Sequence, residues 1–218
     1  MRQQIPRSHA DENLLLLVRH GATANNTARP PRLQGRGSDL PLSEVGREQA
    51  RRTAEFLSKW SIDAVYSSPL LRAFETAAAI AAPHDLTASP VAEFIECDVG
   101  AWEGLSWAEV EAASPDEYRR FLADPAAHPY SGGETLLQVF ERAAPALDHL
   151  IRKGTGRTIV VVAHNVINRV LLAPLLGMPL SLARGIPQAN GGVNLMKHCG
   201  GQTRLLTLNG VWHLSAWE

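Results

Sequence analysis

Cysteine is scarce in this chain, and its scarcity excludes the disulfide-rich secreted folds. Only Cys97 and Cys199 occur among 218 residues, which is too few for a framework of disulfide bonds. A reducing compartment is the default for such a chain, so we expect a cytoplasmic protein. The apolar run near the N-terminus is too short for the core of a signal peptide or for a membrane span.

An excess of charge and the common cofactor motifs are missing as well. The formal net charge of −1 at pH 7 gives no support to binding of nucleic acid or of a membrane surface. The metal-ligand spacings His-Glu-x-x-His and Cys-x-x-Cys do not occur, and neither does a Walker A motif. We therefore predict that the protein uses no metal and no cofactor and that its binding partner is a small molecule. We predict a monomer or a homodimer.

Apolar runs that alternate with helical stretches indicate the fold class. Residues 1–13 are polar and are predicted to be a flexible tail, and residues 14–218 are predicted to be a single domain. A segment at about residues 98–133 departs from the alternation and is predicted to be a small helical cap inserted over the sheet edge. The alternation predicts an α/β fold, a three-layer α/β/α sandwich around a mostly parallel central sheet. The predicted strands are Leu14–Arg19, Ala64–Ser67, Val91–Ile95, the run that begins at Thr158, and a hairpin of Gly192–Lys197 with Arg204–Asn209.

Two of the eight histidines stand at the ends of strongly apolar runs. The run at residues 14–18 is followed by Arg19 and His20, and a second run ends in His164. Adjacent parallel strands would bring both histidines to the sheet edge where open α/β folds bind their ligands. Gly21 is predicted to let the chain turn sharply after His20.

Two arginines complete a predicted phosphate pocket with these histidines. Arg19 offers a planar fork for a phosphate, and His20 can act as a base or as a nucleophile. Arg72 lies in the first turn of the helix after the second strand, where the helix N-terminus adds positive potential. A salt bridge from Arg72 to Glu75 or Glu44 fits the sequence equally well.

The segment around His20 resembles the signature of the histidine phosphatase superfamily, the phosphoglycerate-mutase-like fold. The similarity extends over residues 14 to about 209, and its motifs follow one another in the family's order, which a chance match would not produce. In chain order they are Arg19-His20-Gly21-Ala22-Thr23 with Asn26, Gln34-Gly35, Asp39-x-Pro41-Leu42-Ser43, Ser67-Ser68-Pro69-x-x-Arg72-Ala73-x-x-Thr76, Glu96-x-x-x-Gly100-x-Trp102-Glu103-Gly104, Gly132-Gly133-Glu134-Thr135, and the strand that ends in His164.

The resemblance implies a mechanism and assigns roles to particular residues. His20 would attack phosphorus as a neutral imidazole and form a phosphohistidine. Glu96 would protonate the leaving group and then activate water, with a pKa raised by a site half enclosed under Trp102. Arg19, Arg72 and His164 would hold the equatorial oxygens of the phosphoryl group. Further contacts would come from Thr23 and Asn26 and, more weakly, from Gln34, Gly35 and Asn165.

Asn165 departs from the usual pattern of the family, in which a glycine follows the second histidine. The His-Asn pair and the stretch at residues 186–194 resemble a subgroup similar to phosphatases of cyanobacteria and plastids. The side chain of Asn165 either contacts the substrate or caps the following helix, and capping is the preferred interpretation.

The predicted function is a metal-independent phosphomonoesterase that acts on a small phosphorylated metabolite, such as a sugar phosphate, a sugar-acid phosphate or a phosphoglycerate-like compound. A cofactor-dependent phosphoglycerate mutase is the first alternative, but mutases carry a longer insertion near the proton donor than the compact segment from Glu96 to Gly104. The second alternative is a catalytically silent binding or regulatory protein on the same fold. Such proteins usually lose a histidine or an arginine of the pocket, and all four are present here.

Two further groups of side chains bear on the identity of the substrate. Charged residues of the long loop either meet a second anionic group or form a solvated face; they are Arg29, Arg32 and Arg36. Trp102 and Trp107 either offer flat surfaces to a sugar or pack the cap.

Overall fold

A six-stranded sheet with helices on both faces is the framework of residues 11–214, which are the residues that the computed structural model describes. The strands are β1 (Glu12–Arg19), β2 (Ala64–Ser67), β3 (Ser89–Pro90), β4 (Thr158–Ala163), β5 (Val193–Cys199) and β6 (Gln202–Gly210). They lie in the order β3-β2-β4-β1-β5-β6. The first four of this order pair in parallel, and β5 and β6 pair antiparallel at one edge. The prediction of an α/β fold with a mostly parallel sheet is therefore confirmed.

The helices connect these strands and cover the sheet on both sides. They are α1 (Ala24–Thr27), α2 (Glu44–Leu57), α3 (Leu71–Ala81), α4 (Trp107–Ala113), α5 (Pro115–Ala123), α6 (Leu136–Arg152) and α7 (Asn165–Leu172). Short 3-10 segments occur at Ala82–His84, Ala92–Phe94, Gly100–Trp102, Pro174–Leu176 and Leu180–Gly185. None of the helices in residues 11–214 is both long and apolar enough to cross a membrane.

The central strands are buried on both faces, which produces the three layers. Leu15 and Leu17 of β1 belong to a core that they share with α6 and α7. Leu16 and Val18 belong to a second core, shared with α2 and α3. This alternation follows from the two-residue period of a strand. Strands that are buried on both faces need apolar residues at every position, which is why the sequence shows continuous apolar runs.

The first strand begins inside the segment predicted as a tail. The side-chain amide of Asn13 donates hydrogen bonds to the carbonyls of Ile151 and Gly154, both at 2.7 Å, and its oxygen accepts the N–H of Arg157 at 2.9 Å. These bonds tie the connection between α6 and β4 to β1, so a polar residue is held in the sheet. Residues 1–10 of the predicted tail lie outside the described residues.

The predicted strand at residues 91–95 is wrong, because β3 ends at Pro90. Proline has no N–H to donate to a sheet, and the residues after it form the 3-10 turn Ala92–Phe94. This turn buries the ring of Phe94 in the core that contains α6. The packing of one aromatic side chain therefore overrides the strand propensity of the segment.

Gly21 is required for close packing and not for the sharp turn that we predicted. Its φ lies outside the left-handed region. A Cβ at Gly21 would lie 2.3 Å from the carbonyl oxygen of Gly46 in α2, and a Cβ at Gly46 would lie 1.9 Å from the carbonyl oxygen of Ala22. Ser43 begins α2 at this point by accepting the N–H of Gly46 at 3.1 Å. The two glycines thus let the first turn of α2 touch the end of β1.

The segment predicted as a cap contains α4 and α5 and has an aromatic core. The ring of Trp102 meets Trp107, Phe121 and Tyr130 edge-on, with centroids 5.3 to 6.2 Å apart. Such edge-to-face contacts stabilise by about 0.5–1.5 kcal/mol each beyond the burial of area. Trp102 is 1% exposed, so of the two interpretations of this residue only packing of the cap agrees with the structure.

Candidate active site

The ends of β1 and β4 bring two imidazole rings together. These strands pair in parallel with Arg19 opposite Ala163, so His20 and His164 leave the sheet side by side. Their ring centroids are 5.1 Å apart. Both residues are buried, at 3% and 0% exposure.

The hydrogen bond of the His20 ring determines which of its nitrogens is free. Nδ1 lies 2.6 Å from the carbonyl oxygen of Gly21, and a carbonyl can only accept, so Nδ1 carries the proton. Nε2 then keeps its lone pair. Burial lowers the pKa of His20 well below its ordinary value, and the charges of Arg19 and Arg72 lower it further. The ring is therefore neutral near pH 7 and suited to nucleophilic attack.

Two arginines near His20 are held by backbone carbonyls. Nη1 of Arg19 donates to the carbonyl of Gln188 at 2.6 Å. Arg72 donates from Nη1 to Ser38 at 2.8 Å and from Nη2 to Gly35 at 3.0 Å. Burial lowers the pKa of Arg19 to about 10 and also lowers that of Arg72. Carbonyl oxygens fix the two forks without neutralising them, so the positive charges remain available to an anion.

Arg72 forms neither of the two salt bridges that the sequence allowed. It is fully buried in the first turn of α3, whereas Glu75 accepts the N–H of Leu42 at 2.9 Å. The side chain of Arg72 reaches back over the loop that carries Gly35, as the bond to that carbonyl shows. Its charge is therefore held in the interior, where it acts on His20 and Glu96.

Several buried polar atoms of the site have no hydrogen-bond partner within residues 11–214. Buried polar groups are nearly always paired in folded proteins, so a cluster of them indicates a place where an oxygen-rich ligand supplies the partners. The unpaired atoms are Nε of Arg19, Nε2 of Gln34, Nε of Arg72, and both Nδ1 and Nε2 of His164.

Burial lowers the pKa of His164 well below its ordinary value, and Arg72, His20 and Arg19 lower it further.

Glu96 is a buried carboxyl group on the wall of the same cavity. Its Oε1 accepts the N–H of Cys97 at 2.9 Å, and its Oε2 accepts the N–H of Val166 in α7 at 3.3 Å. Burial raises the pKa of Glu96 and outweighs the opposing effect of these two hydrogen bonds. The raised pKa makes this carboxyl group hold its proton more readily than an ordinary glutamate does, and the proton can pass to a neighbouring oxygen.

A network that the sequence analysis missed holds the backbone at Glu96. Arg142 of α6 donates to the carbonyls of Glu93 at 2.7 Å, Ile95 at 2.8 Å and Glu96 at 3.2 Å. Its Nε also pairs with Glu134 at 2.9 Å. The signal available in the sequence was Glu134 itself, an acid in the Gly-Gly-Glu-Thr motif that needs a cation nearby.

Thr23, Asn26 and Gln34 form one hydrogen-bonded group. Oγ1 of Thr23 donates to Oε1 of Gln34 at 2.6 Å, and the Thr23 N–H donates to Oδ1 of Asn26 at 3.0 Å. Thr23 is fully buried and does not line the cavity, and its hydroxyl already has a partner in Gln34. Its direct contact with phosphate stays a prediction. The carbonyl oxygens of Asn26 and Gln34 are engaged, which leaves the amide N–H groups of both to face a ligand.

Gly35 and Asn165 differ from their predicted roles in opposite ways. The N–H of Gly35 donates to the carboxylate of Glu103 at 2.9 Å, and its carbonyl holds Arg72, so Gly35 supports the site without lining it. The helix cap of α7 is His164, with no side-chain cap hydrogen bond. The capping interpretation of Asn165 is therefore wrong. Asn165 lines the cavity, and its buried Oδ1 has no partner among the described residues.

The cavity in front of His20 has a volume of about 720 Å³. Trp107 lines it, whereas Trp102 does not. Of the three loop arginines only Arg32 reaches it; Arg36 pairs with Asp98 at 2.7 Å, away from the cavity. In addition, the sequence analysis missed three lining residues from the later part of the chain, Tyr130, Arg169 and Arg184. No group of three or more His, Cys, Asp or Glu side chains that could hold a metal ion occurs in the described part of the chain.

Two histidines at the ends of parallel strands, two buried arginines and a buried carboxyl group with a raised pKa together form a site suited to phosphoryl transfer on an α/β fold. The chain belongs to the histidine phosphatase superfamily (branch 1), whose family model matches residues 15–210. The family predicted from the motifs is therefore confirmed.

The relatives of this chain narrow its activity. Phosphoserine phosphatase 1 of Hydrogenobacter thermophilus is 34% identical over 200 residues, which cover 92% of this chain and 93% of that protein. Glucosyl-3-phosphoglycerate phosphatase of Mycolicibacterium vanbaalenii is 35% identical over 176 residues, which cover 76% of this chain and 75% of that protein. The solved structure of YhfR from Bacillus stearothermophilus has a TM-score of 0.85 at 28% identity, covering 93% of this chain and 100% of that one. The prediction of a phosphatase is thus confirmed.

Proposed function

We propose that this protein hydrolyses the phosphomonoester of a small metabolite through a phosphohistidine on His20, without a metal ion. The observation that carries the proposal is the hydrogen bond between His20 Nδ1 and the Gly21 carbonyl, since it leaves a neutral Nε2 free for attack. The named activities of the two sequence relatives, both phosphatases of small metabolites, support the same class of reaction. A sugar phosphate, a sugar-acid phosphate and a phosphoglycerate-like compound remain the candidate substrates.

In the first step, Nε2 of His20 attacks phosphorus and the bond from phosphorus to the ester oxygen breaks. The proton of Glu96 passes to the leaving oxygen, so the alcohol departs neutral. Negative charge grows on the equatorial oxygens, where Arg19, Arg72 and His164 supply N–H donors that are already in place. The free amide groups of Asn26 and Gln34 add two more donors.

In the second step, the carboxylate of Glu96 takes a proton from a water molecule, and the water oxygen attacks phosphorus. The bond between Nε2 of His20 and phosphorus breaks, its electron pair returns to the ring, and inorganic phosphate leaves. Glu96 is then protonated again and ready for the next ester. Both steps use the same carboxyl group, so its pKa has to lie close to the working pH.

The proposed mechanism needs no metal ion, so we expect full activity in EDTA. We also expect inhibition by vanadate, which mimics the trigonal-bipyramidal phosphoryl group.

A phosphatase transfers the phosphoryl group from the phosphohistidine to water, whereas a mutase transfers it to a hydroxyl group of a metabolite. With 3-phosphoglycerate and a trace of 2,3-bisphosphoglycerate, released phosphate should greatly exceed isomerised product. The reason is that the segment from Glu96 to Gly104 is short, so water can reach the phosphohistidine. Isomerisation faster than phosphate release would make the protein a mutase. Loss of activity in EDTA that a divalent ion restores would overturn the metal-free mechanism.

Arg142 is predicted to position Glu96 and not to touch the substrate. Arg142→Met should lower kcat for alkyl phosphates by roughly 10²-fold, the cost of a displacement of about 1 Å in a catalytic group. The loss should be smaller for aryl phosphates, whose leaving group needs little protonation. Arg152→Met is the control, since Arg152 lies on the same helix in an exposed pair with Asp148. Equal losses for both ester types, together with a lower melting temperature, would indicate a structural role only.

From the small number of cysteines we propose a cytoplasmic location, and we propose a monomer or a homodimer as the oligomeric state.

A further inference from the structure

The cavity contains more positive charge than the phosphate site uses. Arg19 and Arg72 act on His20 with their charges. Two further arginines, Arg169 and Arg184, line the cavity. Glu96 is the only acidic residue on the wall formed by the described residues, and burial raises its pKa. Neither Arg169 nor Arg184 forms an ion pair with a carboxylate of the described residues, and the charge of Glu96 is the one acidic influence on Arg169 from the wall.

Arg184 is held by aromatic rings and by no polar partner. Its guanidinium carbon lies 4.6 Å from the ring centroid of Trp107 and 4.9 Å from that of Phe121. It makes no hydrogen bond or ion pair with any residue between 11 and 214. A guanidinium that stacks on a ring keeps its N–H groups in the plane of the fork, where they can bind an anion.

Arg169 lies on α7, a helix whose first turn binds Glu96. Its Nε donates to the carbonyl of Ile186 at 2.8 Å, and this bond fixes the side chain while Nη1 and Nη2 stay unpaired within the described part of the chain. Burial lowers the pKa of Arg169, and the nearby charge of Arg184 lowers it further. Both guanidinium groups line the same cavity, so an anion bound there would be attracted by both charges.

Arg32 is not equivalent to these two residues. It donates to the carbonyl of Gly104 at 2.7 Å and pairs with Glu109 at 3.4 Å, with both side chains well exposed. Its charge is therefore already balanced, and solvent screens it. The uncompensated charge of the cavity, apart from the phosphate site, belongs to Arg169 and Arg184.

We propose that Arg169 and Arg184 form a second anion-binding site, and that the preferred substrate carries a carboxylate in addition to its phosphate. This inference rests on the proposed function, since it names the substrate class of the same cavity. A carboxylate matches the planar fork of arginine with two parallel hydrogen bonds. The 720 Å³ cavity is large enough for a small phosphorylated acid.

A pair of substrates that differ in one group tests the inference. 3-Phosphoglycerate and glycerol 3-phosphate share the phosphate and the neighbouring hydroxyl, but the carboxylate of the first is a hydroxymethyl group in the second. Wild-type protein should favour 3-phosphoglycerate in kcat/KM. Arg184→Met, which keeps an apolar stem on Trp107, should reduce this preference by roughly 10- to 100-fold through KM, the effect of losing a hydrogen bond between charged groups.

The same preference for 3-phosphoglycerate should fall in Arg169→Gln. Arg184→Lys keeps the positive charge and should retain part of the preference. Arg119→Met is the control and should leave the preference unchanged, because Arg119 is an exposed residue of α5 that does not line the cavity. An unchanged preference in both cavity variants would overturn the second site. Calorimetric binding of the two compounds to His20→Ala separates this failure from failure of the proposed function. Selective binding of 3-phosphoglycerate there, without phosphate release by the wild type, would support the second site and refute the phosphatase mechanism.

Discussion

Replacement of His20 by alanine is expected to abolish phosphate release. The nucleophile has no substitute, because His20 is the only histidine among the described residues that line the cavity. In the proposed mechanism the neighbouring His164 holds the phosphoryl oxygens instead. Removing a nucleophile typically lowers kcat by roughly 10⁴-fold or more. The backbone bonds of His20, from its N–H to Ala163 and from Asn190 to its carbonyl, do not depend on the ring. His20→Ala should therefore fold normally.

Phosphate release and a rapid-quench experiment check this prediction. After quenching, the wild type should carry acid-labile, base-stable phosphate, and His20→Ala should carry none. His149→Ala is the matched control, since His149 is exposed on α6, far along the helix from the site. Activity of more than a few per cent of the wild type in a folded His20→Ala protein would show that another group accepts the phosphoryl group.

Glu96→Gln is expected to slow the hydrolysis of alkyl phosphates by roughly 10²-fold or more, the usual contribution of a general acid. Glutamine keeps the shape of the side chain but has no proton to give. An aryl phosphate should lose much less in the phosphorylation step, because its leaving group is stable without protonation. Single-turnover formation of the phosphoenzyme from both ester types measures this difference. Equal losses for the two would count against the acid role, and Glu93→Gln, an exposed neighbour, should behave as wild type.

The pH dependence follows from the direction of two pKa shifts. Burial raises the pKa of Glu96, and a general acid works in its protonated form. Phosphorylation by alkyl esters should therefore slow as the pH rises through this raised pKa, and the decline should vanish in Glu96→Gln. Burial and two arginines lower the pKa of His20, and a nucleophile works in its neutral form. The corresponding loss in acid should begin only well below the pKa of an ordinary histidine.

The sequence by itself determined the two central strands of the sheet and the place of the site. β1 and β4 are buried on both faces, so they need apolar residues at each position, and such runs are visible in any reading of the chain. The residues that end these runs, His20 and His164, must lie at one edge once the two strands pair in parallel. Local capping also sufficed for the starts of helices, as at Ser43. The apolar runs, the residues that end them and the helix caps are all local features of the sequence.

Only the tertiary structure decided which atoms of these residues are free to act. Arg72 reaches the carbonyls of Ser38 and Gly35, which lie 34 and 37 residues away. Arg142 holds the backbone at Glu96 from 46 residues away. A hydrogen bond between residues so far apart in the sequence leaves no recognisable sequence motif, because its geometry is produced by the packing of whole helices, strands and loops. The capping role predicted for Asn165 failed because α7 begins one residue earlier, with His164 as its cap.

The charge of the cavity shows the same division. The loop arginines were visible in the sequence as a cluster, yet two of them, Arg32 and Arg36, are balanced by Glu109 and Asp98. Arg169 and Arg184 stand apart in the sequence and come to line one cavity only when α7 and the 3-10 segment Leu180–Gly185 pack beside the cap, where Arg184 stacks on Trp107. Charge compensation depends on distances in space, which the order of residues does not specify. The sequence therefore determined the reaction class, and the packing decided where the uncompensated charge of the cavity lies.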